Sequence, residues 1–168
     1  MTVANISSAR CLRRAAFAVA ASTLAADQVT KWWIVHQIMP PPRGFAITPF
    51  FNVVMVWNRG VTFGLFGQWG FGGGIATRWV LVAVTLAVVA LLVAWLARLD
   101  RPLPGLALGA VIGGALGNLV DRVIYGKVAD FLDFHAFGWH WPAFNLADSA
   151  IVCGVTALLL DTFIGRRE

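Results

Sequence analysis

Two aspartates in the last third of the chain, Asp130 in VADFLDF and Asp148 in FNLADSA, are the residues best suited to acid–base chemistry. Asn145 precedes Asp148 by three residues and would share its face of a helix. Upstream, GALGNLVDR sets Gly114, Asn118 and Arg122 at four-residue steps, with Asp121 three after Asn118, so amide and guanidinium donors line one helical face. If Asp130 and Asp148 meet, two carboxylates held close cannot both ionise easily and share one proton. One is then a base that takes a proton from an attacking water. The other is an acid for the carbonyl oxygen and the leaving amine. The chemistry this permits is metal-free and cofactor-free hydrolysis of an amide bond, with the neighbouring donors orienting the pair or steadying an oxyanion.

Each residue also has a plainer reading. Asp148, taken alone, could cap a helix or favour its N-terminal dipole. Arg122 could extend its head to water, whereas Asn118 is too short to escape and must find a partner. Asp27 and Lys31, four apart in DQVTK with the acid first, read as a structural ion pair ahead of direct chemistry. Ser149 has neither a G-x-S-x-G context nor a paired histidine. Asp130, Asp133, His135 and His140 match no zinc spacing. Because phenylalanines flank Asp130 and Asp133, one of the two is expected to face a buried or interfacial site and the other water.

The elements that must position these residues are membrane helices. Of 168 residues, 59% are hydrophobic and 12% charged, well outside the range of a soluble domain. Apolar runs near the roughly 20 residues needed to span a bilayer fall at about 12–35, 76–96, 103–120 and 144–164, within a single domain, 1–168. Basic residues sit at segment ends: Arg10, Arg13 and Arg14, then Arg98 and Arg101, then Arg166 and Arg167. This pattern puts both termini in the cytoplasm, and it sets the net charge of +5 apart from a nucleic-acid-binding stripe. The basic, alanine-rich start also fits a signal peptide cut near Ala25 or Ala26, but the apolar pattern resumes through Trp32 to Val35. Cys11 and Cys153 suggest no disulfide framework. An ionisable residue inside a span costs at least ~2.5 to 3.5 kcal/mol, so each needs a partner or a purpose.

The resulting expectation is an all-α integral membrane protein of four transmembrane helices, with outer loops at about 36–75 and 121–143. Within the first loop, ITPFFNVVMVW (Ile47 to Trp57) suits strands of a small extracytoplasmic sheet. GQWGFGGG (Gly67 to Gly74) suits a mobile lid, a turn or a plain linker. Gly105, Gly109, Gly113 and Gly117 recur every four residues and suit close helix packing. A non-enzyme alternative is a small proton-coupled transporter or channel, although a proton relay should continue toward the cytoplasm, where Asp161 is the only acid near the inner end of the last span.

Five motifs in order, DQVTK, NRGVTFG (Asn58 to Gly64), GGALGNLVDR, VADF and FNLADS, resemble lipoprotein signal peptidase, the type II signal peptidase of bacteria, over essentially the whole chain. The resemblance implies a four-helix inner-membrane aspartic endopeptidase working at the periplasmic interface. Its substrates would be diacylglyceryl-modified prolipoproteins, met in membrane lipid and cut before the modified cysteine. By motif, Asp130 and Asp148 would form the catalytic dyad. Asn118, Asp121, Arg122, Asn145, Asn58, Asp27 and Lys31 would support the site. No cofactor, metal or nucleic acid is implied.

Overall fold

The computed structural model describes residues 3–38, 44–60 and 74–164. Along them α1 (Val3–Trp33) runs into a π-helical turn at Ile34–Ile38 and is followed by strands β1 (Phe45–Thr48) and β2 (Phe51–Asn58). Next come α2 (Ile75–Leu96) and α3 (Pro102–Tyr125), then β3 (Val128–Ala136), β4 (Trp139–His140) and α4 (Leu146–Ile164). Most of the glycine-rich stretch Gly67 to Gly74, the end of NRGVTFG, and Arg166 and Arg167 lie outside the described residues.

Among the described residues, α2, α3 and α4 are long and apolar enough to cross a membrane. Of their most apolar windows, 61% of α3 is buried, against 11% of α2 and 17% of α4. Hence α3 is the central helix, packed between α1 and α4, with α2 on its outside. The outward faces carry Val80, Val84 and Leu91 on α2 and Val152, Leu159 and Leu160 on α4, all exposed. In water each such side chain would forfeit roughly 1.5 to 3 kcal/mol of burial; hydrocarbon removes that penalty. Inside, Ala16, Ala20, Leu96, Leu108 and Ile112 form the helical core.

Small residues set how closely the helices approach. A Cβ on Gly109 or Gly113 would overlap the backbone carbonyl of Ala16 or Ala20 on α1. The glycine stripe is therefore spent on packing α3 against α1 within the chain. Pro102 opens α3 at a position that needs no N–H partner. Gly126, with φ 73°, closes it by returning its N–H to the Arg122 carbonyl at 3.1 Å. The helix thus continues past the expected end at residue 120 and carries Asp121 and Arg122 on its last turns rather than in a loop.

The sheet is antiparallel, in the order β1-β2-β3-β4. The expected β element in the first loop is present, but the sheet is larger than expected, since β3 and β4 come from the second loop. β3 pairs with β2, setting Asp130 opposite Val56 and Asp133 opposite Asn52. The aspartates at 130 and 133 interrupt the apolar alternation that would have announced a strand. The expectation that one of them faces water is also corrected: both are buried. Asp133 takes a 2.8 Å hydrogen bond from Asn52 Nδ2 and lies 2.9 Å from His140 Nδ1, partners supplied by the strands on either side.

Candidate active site

The site begins with how β3 meets α4. The Leu132 N–H donates to the Phe144 carbonyl at 2.8 Å, and the Phe144 N–H donates back to the Leu132 carbonyl at 3.1 Å. This exchange ties the residue before Asn145 to the strand that carries Asp130. Asn145 then caps α4: its side-chain oxygen accepts the Asp148 N–H at 3.0 Å, while Asp148 Oδ2 accepts the Asn145 N–H at 3.2 Å. The pair is a reciprocal capping box, satisfying donors that a helix start otherwise leaves open. Capping therefore uses one Asp148 oxygen. The other, Oδ1, accepts from Asn118 Nδ2 at 2.8 Å.

Asp130 is held by two amides. Asn145 Nδ2 donates to Oδ1 at 2.7 Å and Asn58 Nδ2 to Oδ2 at 3.0 Å. Asn58 is in turn aimed by the Gly60 N–H, which donates to its side-chain oxygen at 2.9 Å. Asn145 consequently touches both aspartates, and both are buried, Asp130 being 1% and Asp148 8% exposed. Burial above all, and then the nearby Asp148 charge, raise Asp130 from the usual carboxylate range to about 7; the amides of Asn58 and Asn145 and the Lys31 charge pull the other way. Arg122 does not simply reach for water. Its guanidinium donates to the carbonyls of Asn118 and Gly60 at 3.2 and 3.1 Å, within electrostatic reach of Asp148, Asp130 and Asp121.

Behind the aspartates lies a buried ionic cluster. Lys31 Nζ stands 2.8 Å from Asp27 Oδ2, 2.9 Å from Asp121 Oδ2 and 2.9 Å from Asn118 Oδ1, which satisfies all three of its N–H donors. Asp27 Oδ1 accepts the Ala147 N–H at 2.9 Å, and Asp121 Oδ2 accepts the Ala129 N–H at 3.2 Å. The expected Asp27–Lys31 pair is thus a hub linking α1, α3, β3 and α4. All nine residues singled out from the sequence fall in this one connected region.

Sequence reasoning missed Gln28, whose Nε2 lies 3.2 Å from Asp27 Oδ2, 3.2 Å from the Gly117 carbonyl and 3.1 Å from Asp121 Oδ1. Its signal was its place one residue after Asp27 in a span where any polar side chain needs a partner. Among the described residues no three His, Cys, Asp or Glu side chains are arranged to hold a metal ion. A cavity of about 480 Å³, lined by Trp141, Phe144, Asp148, Ser149, Ile151, Val152 and Cys153, opens from Asp148 onto the apolar face of α4.

Fold and site together define a membrane-embedded enzyme whose helices and sheet converge on two buried aspartates. The profile of the signal peptidase (SPase) II family matches residues 19–164, and the chain belongs to that family. It is 48% identical over 144 residues to a lipoprotein signal peptidase of Methylorubrum extorquens (strain PA1), an alignment covering 84% of this chain and 81% of the relative. It is 47% identical over 146 residues to the lipoprotein signal peptidase of Methylobacterium sp. (strain 4-46), covering 86% of each. Among solved structures, a bacterial membrane enzyme determined by the in meso method at 1.9 Å resolution superposes with a TM-score of 0.76 at 29% identity, covering 88% of this chain and 91% of that one. Another, determined at 2.3 Å, gives 0.73 at 30% identity over 88% of each. The protein is a multi-pass membrane protease of the signal peptidase II class.

Proposed function

We propose that the chain is an aspartic endopeptidase in which Asp130 and Asp148 form the catalytic dyad. It removes signal peptides from diacylglyceryl-modified prolipoproteins by cutting before the lipid-modified cysteine. The observation that carries this reading is the double engagement of Asn145, which holds the Asp130 carboxylate with its side chain and exchanges cap hydrogen bonds with Asp148.

Asp130, with its proton retained to about pH 7, is the acid. Asp148, supported by Asn118, is the base that takes a proton from water as its oxygen adds to the scissile carbonyl. The Asp130 proton passes to the carbonyl oxygen. Collapse of the tetrahedral intermediate sends a proton to the leaving amine, and the pair returns to one shared proton. Arg122 supplies positive charge beside the developing oxyanion. Asn58 and Asn145 keep Asp130 aimed, while Asp27, Lys31 and Asp121 brace the region from behind.

The same reading carries a membrane setting. All four α-helices cross the bacterial inner membrane with both termini in the cytoplasm, α1 being the least apolar because of its three arginines and its buried Asp27 and Lys31. The sheet and the dyad lie at the periplasmic interface. A substrate helix arrives laterally from lipid along the apolar cavity beside Asp148, its acyl chains remaining in hydrocarbon. Incubating the purified protein with a diacylglyceryl-modified prolipoprotein and mapping the product by mass spectrometry tests this reading. A new N-terminus at the modified cysteine supports it; cleavage elsewhere, or equal cleavage of the unmodified precursor, contradicts it.

A further inference from the structure

Asn118 lies between the dyad and the ionic cluster, and an asparagine amide can face either way. Its nitrogen must point at Asp148 Oδ1, 2.8 Å away, to donate there. Two donors converge on its oxygen: Asn145 Nδ2 at 3.1 Å and Lys31 Nζ at 2.9 Å. A rotated amide would set its N–H₂ against both donors and its oxygen against a carboxylate, leaving three buried groups mismatched. Of the two donors, only Lys31 is anchored away from the dyad, by Asp27 on its own helix and Asp121 on α3. Both acids are themselves held: Gln28 Nε2 reaches both, the Ala147 N–H donates to Asp27 Oδ1, and the Ala129 N–H donates to Asp121 Oδ2, the oxygen that also faces Lys31.

We infer that Lys31 is a positioning residue of the peptidase, fixing through Asn118 the orientation of the Asp148 carboxylate, with Gln28, Asp27 and Asp121 as its anchor. This rests on the dyad reading above and adds to it. Lys31 is 4% exposed and does not line the cavity beside Asp148; the separate cavity of about 320 Å³ that it borders includes neither dyad aspartate, so Lys31 acts through Asn118. Its charge also reaches Asp130, where it opposes the burial and the Asp148 charge that favour the protonated form. The other charged or polar groups facing this region are Arg122 on α3, Asn58 on β2 and Asn145 at the start of α4.

The test compares wild type, Asp148→Asn, Lys31→Met and the charge-compensated pair Asp27→Asn/Lys31→Met, all full length in detergent micelles, using a diacylglyceryl-modified prolipoprotein. Wild-type cleavage that Asp148→Asn abolishes secures the underlying reading, whose failure would show at that stage and nowhere else. For Lys31→Met the expected result is a fall in kcat of about 10- to 100-fold, the range seen when a group that orients a reacting one is removed. KM should stay unchanged and the alkaline limb of the pH profile should move to higher pH, because loss of a nearby positive charge lets Asp130 keep its proton longer. If Lys31→Met does not melt cooperatively, the compensated pair, with its net buried charge unchanged and the alkaline limb therefore expected to stay near its wild-type place, decides the matter on kcat at constant KM, corrected for folded protein. A loss that merely tracks the folded fraction, with the alkaline limb unmoved, or wild-type kcat in a folded variant, overturns the inference.

Discussion

Asn145 donates its side-chain N–H to Asp130 at 2.7 Å from the cap position of the helix that bears Asp148. One residue therefore sets both the start of α4 and the meeting of the two aspartates. Replacing it with alanine removes the amide from Asp130 and half of the capping box from Asp148. The capping loss alone should cost about 1 kcal/mol, small enough for the protein to fold. Cleavage should nevertheless fall about 10- to 100-fold, read as kcat in single-turnover assays corrected for folded protein.

The pH dependence follows from Asp130. Burial and the Asp148 charge raise it to about 7, so its proton is present below that pH and is lost as pH rises through it. The free enzyme needs that proton to act as an acid. A profile of kcat/KM against pH should therefore decline on the alkaline side with a limb near 7. A rate that stays flat well above neutrality would assign the acid to another group.

Helix packing makes a separate prediction at Gly113. A side chain there meets the Ala20 carbonyl and the Thr23 Cβ, so α1 and α3 must separate. Gly113→Ala should destabilise by about 1 to 3 kcal/mol, measured as a lower Tm in detergent, with Gly113→Leu lower still. An unchanged Tm for both would show that the contact between α1 and α3 is looser than described.

At the other end of the helices, Arg101 makes a bidentate pair with Asp161, at 2.8 and 2.7 Å. The arginine side chain is 57% exposed, and solvent weakens such a pair. Arg101→Ala should cost no more than about 1 kcal/mol and leave cleavage intact. By contrast, Asp27→Ala leaves Lys31 with one buried partner fewer and should cost about 3 to 5 kcal/mol, which a pair of chemical denaturation curves would resolve.

Much of this was legible because the membrane makes polar residues conspicuous. Asp27, Lys31, Asn118 and Asp148 stood out in apolar runs, and each has its partner in the structure. The apolar run also located α2, read as 76–96 and found at Ile75–Leu96. What escaped the reading was set by contacts distant in sequence. β3 falls within the expected second outer loop because Asp130 and Asp133 break a strand's apolar alternation, and its pairing with β2 makes it a strand. One of Asp130 and Asp133 is expected to face water, but Asn52 and His140 satisfy Asp133 across neighbouring strands. The true end of α3 lay at Gly126, a stop signal outweighed by the charges of Asp121 and Arg122 just before it. Gln28 carries no charge and so gave the weakest signal, although it reaches two acids and a backbone carbonyl.

The dyad itself is tested most directly by assaying purified Asp130→Asn and Asp148→Asn beside wild type on a diacylglyceryl-modified prolipoprotein, with Tm recorded for each. Asparagine keeps the shape of the side chain and removes the ionisable group, so both variants should remain folded and neither should cleave. Substantial cleavage by either folded variant would contradict the assignment of Asp130 and Asp148 as the catalytic pair.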